Sequence, residues 1–420
     1  MDADAVDRAN RETAERLSEC DPVLVGVDRA IDVVPGMTTH TILVAGTRQE
    51  WDRYHGPQRD AILYAAVHEG LASDVIEAEG RILAGEILIE PTQAHDCGGS
   101  STGVHSASTP MFIVHNRAHG NYAYSGLYEA KERRLLALGV YDDVIRARLH
   151  RLAEVIAPTL ASAIRTAGGI PLRPIISRAL RMGDELHSRN VAATALLMNE
   201  LVEPLYSQTG EGREAVMVTL RYLRDTEPLF LRLSLASAKA AADGAHGVRF
   251  SSIVTGMILN CNAFAIRIGG LGKQEWFEGP LPEPQGRFFD GFSADDVVWT
   301  GGESCMVETV GLGGFAQASA FALQEYAGGA AETMVDMNRA MYGITVAEHP
   351  EYRIPFFAFR GVPIGIDMFK VLDSGVMPVI DAGYAAPDVG LIGAGTFRPP
   401  LECFGLAMAR FREEYAEVSR

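Results

Sequence analysis

Apolar residues change their spacing partway along this chain, and that change limits the folds open to it. Ile145, Leu149, Leu152, Ile156, Leu160 and Ile164 recur at the interval of one helix face and stop at Gly168-Gly169. Helical segments at 189–206, 211–224 and 228–243 follow, with no strand pattern between them. Before this block the pattern alternates. "VLVGV" (23–27), "TILVAG" (41–46), "EILIEP" and "PMFIVHN" read as buried strands. Residues 4–19, 57–72 and 73–85 read as helices, with Pro57 suited to a first turn and Ser73 to a cap. From "FSSIVTGMILNCNAFAIRIGGLG" (250–272) onward, strands, helices and dense glycines mix. The expected architecture is therefore α/β and α+β, multi-domain. An N-terminal Rossmann-like layered α/β domain spans 1–140 and a central helical domain spans 141–245. A C-terminal α+β domain with Gly-rich loops spans 246–420. The 420 residues suffice for several cores.

Charge narrows the partners. Lys+Arg is 37 and Asp+Glu is 54, a formal charge of −17. Such a surface repels phosphate backbones and anionic lipid, which argues against nucleic acid and membrane. A small anionic substrate then needs a local positive pocket. Five scattered cysteines with no C-x-x-C fit a reducing cytoplasm. The acidic, amphipathic start lacks the features of a signal peptide, and no apolar run approaches a membrane span. A cytoplasmic protein is expected.

Several stretches carry side chains with chemistry. "FIVHNRAHGNYAY" (112–124) sets His115 and His119 four apart, but without the glutamate and helix of a zincin, so no metal is expected. Asn116, Arg117, His119 and Asn121 at a strand end suit a substrate clamp, because arginine grips a carboxylate with two bonds and asparagine matches an amide edge. The alternative is a turn whose asparagines satisfy local backbone. The loop "AHDCGGSSTGVHS" (94–106) holds His95, Cys97 and His105, either a nucleophile with neighbouring imidazoles or a polar loop. "RMGDELHSRN" (181–190) reads as the opening of a long helix. Asp184 would cap it, and His187, Arg189 and Asn190 would fall at its anion-attracting start.

"ETVGLGGFAQASAFA" (308–322) places Gly311, Gly313 and Gly314 before a helix of small residues. It suits a backbone anion cradle, with Glu308 beside it as a candidate acid/base. "FRGVPIGIDMFKVLDSG" (359–375) offers Arg360 in what also reads as a βα turn capped by Asp367, with "PFFAF" as the strand leading in.

Longer words carry a resemblance. "GDELHSRN", "ESCMVETVGLGGFA", "FRGVPIGIDMFKV", "PVIDAGYA" and "GAGTFRPPLECF", with "VPGM", "GPQRDAILYAAVHEGLA" and "NRAHGNYAY", resemble the YlbE-like family, also called AllG. The resemblance covers nearly the whole chain. It implies a carbamoyltransferase-type enzyme subunit acting on a small ureido or amide acid such as oxalurate or oxamate. Phosphate or carbamoyl phosphate would be the co-substrate, in purine (allantoin) nitrogen catabolism. It implies a CoA-ligase-like subunit and a third subunit as partners; a homo-oligomer is also expected. The chain departs from the family pattern at 93–103, where "QAHDCGGSSTG" stands. A loop at a strand end is where substrate specificity changes.

On this reading Arg117, Asn121 or the 311–314 glycines polarise the transferred carbonyl, and Glu308 or His187 moves the proton. No cofactor is expected. The alternatives are a stand-alone amide or ureido hydrolase and a non-catalytic assembly subunit.

Overall fold

In a computed structural model, which describes residues 3–208 and 212–416, helix Phe230–Ala245 lies at the centre. Its sequence, FLRLSLASAKAAADGA, is small or apolar on nearly every face, so neighbours approach its backbone from all sides. Phe230, Leu233 and Leu235 are fully buried, and each such side chain contributes about 1.5–3 kcal/mol. The N-terminal helix Ala3–Glu19 packs along it, burying Val6, Ala9, Thr13 and Leu17.

The same helix packs on a four-stranded antiparallel sheet. Its strands lie in the order Tyr122–Gly126, Pro110–Asn116, Pro22–Arg29, Ile170–Pro171. Leu24 pairs with Val114, and Val114 with Ala123, all three buried. Thr41–Val44 and Leu88–Pro91 instead pair in parallel, joined by helices Gly56–His68 and Val75–Leu83. The expected Rossmann-like layering is thus corrected to one parallel pair beside an antiparallel sheet. The connection at 117–121 is too short for a helical crossover, so it makes a hairpin. Asp74, not Ser73, caps the helix at 75, accepting from Ile76 and Glu77 N–H.

The helical run at 145–164 has a break. Helix Asp143–Arg151 passes through a π turn, Leu152–Ile156, into helix Ala157–Ala167. Pro158 explains it, having no N–H to give the carbonyl four residues back. Helices Leu172–Arg181, Val191–Tyr206 and Arg213–Asp225 follow. Residue 211, placed in a helix by the sequence, lies outside the described residues, as do the extreme ends of the first and last expected domains.

Beyond residue 250 lie small antiparallel sheets. Val254–Leu259, Phe264–Ile268 and Phe277–Gly279 form one; Gln285–Phe288, Gly390–Phe397 and Ile380–Ala386 another; Thr345–Ile354 and Arg360–Ile366 a hairpin. The helix expected after Gly314 is a series of short 3-10 turns, interrupted where Ala316 (φ −127) and Ala320 (φ −129) leave helical geometry. "PFFAF" is a turn rather than a strand, with Ala358 and Phe359 both left-handed. The largest apolar cluster takes residues from all three expected segments, including Leu24, Leu160, Leu235, Met306 and Ile364.

One buried ion cluster ties the centre to the third segment. Asp243 meets Lys239 Nζ at 2.7 Å and Arg267 on strand Phe264–Ile268 at 2.7 Å, all three enclosed.

Candidate active site

Two buried acids shape the segment before helix Val191–Tyr206. Glu185 accepts from the backbone N–H groups of His187 (2.6 Å) and Arg189 (2.5 Å). Asp184 accepts from Ala193 N–H at 2.8 Å and so caps the helix from outside it. Leu186, between Glu185 and His187, takes a left-handed conformation. Asn190 then donates to the His187 carbonyl at 2.8 Å. The result is a tight loop that fixes the His187 ring.

The ring bridges two side chains of another segment. His187 Nδ1 lies 2.8 Å from Glu308 Oε1, and Nε2 lies 2.9 Å from Ser304 Oγ. Glu308 Oε1 also accepts from the N–H groups of Gly314 (3.2 Å) and Asp381 (3.1 Å). An acceptor at Nδ1 selects the tautomer with its proton there, which leaves Nε2 free to take the Ser304 proton. A Cβ on Gly313 would stand 2.2 Å from Glu308 Oε1 and 3.0 Å from His187 Cβ, so only glycine fits there.

Asp381 and Glu185 complete an acid cluster. Gln317 donates to Asp381 Oδ1, while Asp381 Oδ2 and Glu308 Oε2 have no hydrogen-bond partner among the described residues. Burial, aided by the charge of Glu308, raises Asp381 to about 7. Burial, aided by Asp381, holds Glu185 well above the usual range. At neutral pH the cluster therefore retains a proton. For His187, burial favours the neutral ring, but the charge and hydrogen bond of Glu308, with Asp381, outweigh it and raise its proton affinity.

A cavity of about 420 Å³ opens on this chain. His187, Ser304, Asp381, Arg189, Asn190 and Arg232 form part of its wall. The triad's hydroxyl and imidazole thus reach space large enough for a small acid. No group of three or more His, Cys, Asp and Glu suited to a metal occurs among the described residues.

The sequence candidates divide. His187 and Glu308 meet, and Arg189 and Asn190 share their cavity. Gly313 and Gly314 stand behind it, with N–H groups already engaged by Glu185 O (2.7 Å) and Glu308. The donors of the expected anion cradle are taken by the protein's own groups, a backbone carbonyl and a carboxylate. Gly311 ends the 3-10 turn Ser304–Val310 and meets Val362 and Pro363. The expected anion seat at the helix start is likewise occupied, by Asp184, and His187, Arg189 and Asn190 precede the helix rather than lie in it.

The hairpin group lies elsewhere. Asn116 Oδ1 accepts from the N–H groups of Asp21 and Ala118. Asn121 donates to Ala240 O, His119 meets Arg16 O, and Arg117 pairs with Asp21 at the surface. These bonds fasten the hairpin to the central and N-terminal helices. Arg360 pairs with Glu348 on an exposed hairpin and stacks on Tyr342. Cys97 is fully enclosed and burial pushes its thiol well up, the opposite of an activated nucleophile. His105 is buried and held down to about 3. Ser304, Asp381, Glu185 and Arg232 were not singled out from sequence, since no local motif marks them.

Fold and site together define a mixed α/β protein with a Ser–His–Glu chain on the wall of a cavity. Comparison with known proteins gives the lineage. The family model for "Oxamate carbamoyltransferase subunit AllG" matches residues 87–304. The Escherichia coli K12 protein of that name is 33% identical over 97% of this chain and 98% of its own length. The "Uncharacterized protein YahG" of the same organism is 40% identical over 98% of this chain and 87% of its length. A crystal structure of a conserved protein of unknown function from Enterococcus faecalis V583 superposes with a TM-score of 0.94. It is 37% identical, covering 97% of this chain and 98% of that one. The chain belongs to the AllG family.

Proposed function

We propose that this chain is the catalytic subunit of a carbamoyltransferase that acts on a small ureido or amide acid. The observation that carries the reading is the Ser304–His187–Glu308 chain, with contacts of 2.9 and 2.8 Å, on the cavity wall. The family supports the reaction class: a relative named as an oxamate carbamoyltransferase subunit is 33% identical. On this reading the substrates are oxalurate and phosphate, the products oxamate and carbamoyl phosphate, and the setting cytoplasmic allantoin catabolism. The partners are a CoA-ligase-like subunit, a third subunit and further copies of this chain.

The chemistry balances without a cofactor. Ser304 Oγ attacks the terminal ureido carbonyl while its proton passes to His187 Nε2. The bond from that carbon to the inner nitrogen breaks, and oxamate leaves with the proton from His187. A phosphate oxygen then attacks the carbamoyl-serine ester, displaces Ser304 and restores its proton through His187. Glu308 holds the imidazolium that forms in each half-reaction, as the acid of a Ser-His-Asp triad does. Ser100 and Ser101, from the 93–103 loop that departs from the family pattern, also line the cavity and would tune the acid accepted.

The test uses the chain with its co-purified subunits and oxalurate labelled in the terminal carbonyl. Without phosphate, label should stay on the protein at up to one equivalent; phosphate should release it as carbamoyl phosphate. Ser304→Ala should abolish labelling and lower turnover by about 10³-fold or more. Full turnover by Ser304→Ala would exclude Ser304 as the nucleophile. Release of labelled carbamate without phosphate would favour the hydrolase reading, which the same triad also suits. No turnover with any subunit combination would favour an assembly role.

A further inference from the structure

Arg232 is 4% exposed, and no described residue makes a hydrogen bond or ion pair with its guanidinium. This sets it apart from the other enclosed cations. Lys239 and Arg267 both meet Asp243 at 2.7 Å. Arg232 has only the face of Tyr128, 5.2 Å from the ring centroid. The nearby acid, Glu129, acts on it through charge but makes no hydrogen bond or ion pair with it; its two oxygens accept from Leu136 N–H (2.9 Å) and Ala137 N–H (2.7 Å). A buried guanidinium whose N–H donors have no acceptor is costly, so a fold that keeps one is holding it for something.

Position says what for. Arg232 stands in the first turns of the buried helix Phe230–Ala245, so its backbone is fixed. It forms part of the wall of the cavity that holds His187 and Ser304. It also borders a second space of about 50 Å³. A water there could take one or two of its five N–H donors but could not match its charge.

We infer that Arg232 is the oxyanion anchor of this cavity, gripping the carboxylate of the ureido or amide acid through two parallel hydrogen bonds while the other end of the molecule faces Ser304. A guanidinium matches a planar carboxylate in this way, and an enclosed site strengthens the pair. The inference rests on the cavity being the reaction site, but it concerns binding rather than turnover. It also supplies the local positive pocket that a chain of charge −17 needs.

The test is calorimetry on the full chain with three probes: oxamate, its uncharged analogue oxamide, and inorganic phosphate. The parent should bind oxamate at least tenfold more tightly than oxamide. Arg232→Gln should weaken oxamate ten- to a hundredfold and remove the preference, with oxamide little changed. Arg232→Lys keeps the charge but not the fork, and should fall between; it also serves if the Gln variant fails to fold, as judged by circular dichroism and thermal melting. Oxamate bound equally by parent and Arg232→Gln would overturn the assignment and leave the Ser304 chemistry untouched. Phosphate binding that depends on Arg232, with oxamate binding that does not, would overturn the carboxylate assignment in favour of the co-substrate. Binding of none of the three by the parent would remove the anchor whatever the turnover assay shows.

Discussion

His187 is wholly enclosed between Glu308 and Ser304, and its proton affinity follows from two opposed effects. Burial favours the neutral ring, while the Glu308 charge favours the imidazolium and wins. In the proposed role of base to the Ser304 hydroxyl, the ring must be neutral. kcat/KM should therefore rise with pH through an apparent pKa above 6.5, the ring's ordinary value. Glu308→Gln removes the opposing charge, so this acid limb should move to lower pH while the maximal rate falls. An unmoved limb in a pH–rate profile would show that His187 is not the group being read.

Asp381 carries a stability signature. Its folded value is raised, from 3.8 to about 7. The favourable proton binding is fully present below 3.8 and is lost as pH rises through 7, so this site destabilises the fold across that window. Asp381→Asn should narrow the difference in melting temperature between pH 5 and pH 8 and leave the chain the more stable at pH 8. His187 acts in the same direction, its contribution present below 6.5 and lost through its raised folded pKa. Melts of parent and variant with identical pH dependence would refute the assignment of this window to Asp381.

At the scale of elements, the 3-10 segment Ser304–Val310 and the turn after it act as one holder. Ser304 and Glu308 face His187 from this segment, and the turn at Gly313-Gly314 returns an N–H to Glu308. Gly313→Ala puts a methyl 2.2 Å from Glu308 Oε1, at a φ of +58. The carboxylate must leave the imidazole or the turn must open. Expected are a loss of turnover of 10²-fold or more and a destabilisation of roughly 1–3 kcal/mol in urea unfolding. A variant as active and as stable as the parent would show the turn to be slack. The glycines were read from sequence as a cradle for a ligand; their donors go instead to the Glu185 backbone carbonyl and the Glu308 carboxylate, acceptors that the chain itself supplies. Asp184 does the same at the start of helix Val191–Tyr206.

Across the whole molecule, helix Phe230–Ala245 joins the antiparallel sheet, the N-terminal helix and the 3-10 holder of the site. Its Asp243 pairs with both Lys239 and Arg267 in the interior. Asp243→Ala leaves two enclosed cations unpaired and should cost about 3–5 kcal/mol in denaturant unfolding. A loss under 1 kcal/mol would mean that water reaches the pair.

Much of this architecture was legible in the sequence, and the limit has a physical cause. Apolar spacing reports which face of a segment is buried, and that is local: the helices near 4–19, 189–206 and 228–243 and the strands near 23–27 and at "PMFIVHN" follow from it. His187 and Glu308 could be picked out one by one, as titratable groups beside turns. Which groups meet is not local. Glu308 is 121 residues from His187, and Ser304 is 117 away. Arg117 and Arg232 look alike as arginines in a sequence. One lies at the surface beside Asp21, 96 residues away, and is neutralised there. The other is carried inward by a helix with no water-facing side, where no acid among the described residues makes a hydrogen bond or ion pair with it. Spacing along the chain decides burial; the charge and hydrogen-bond partners that turn a buried group into a site arrive only when distant segments pack.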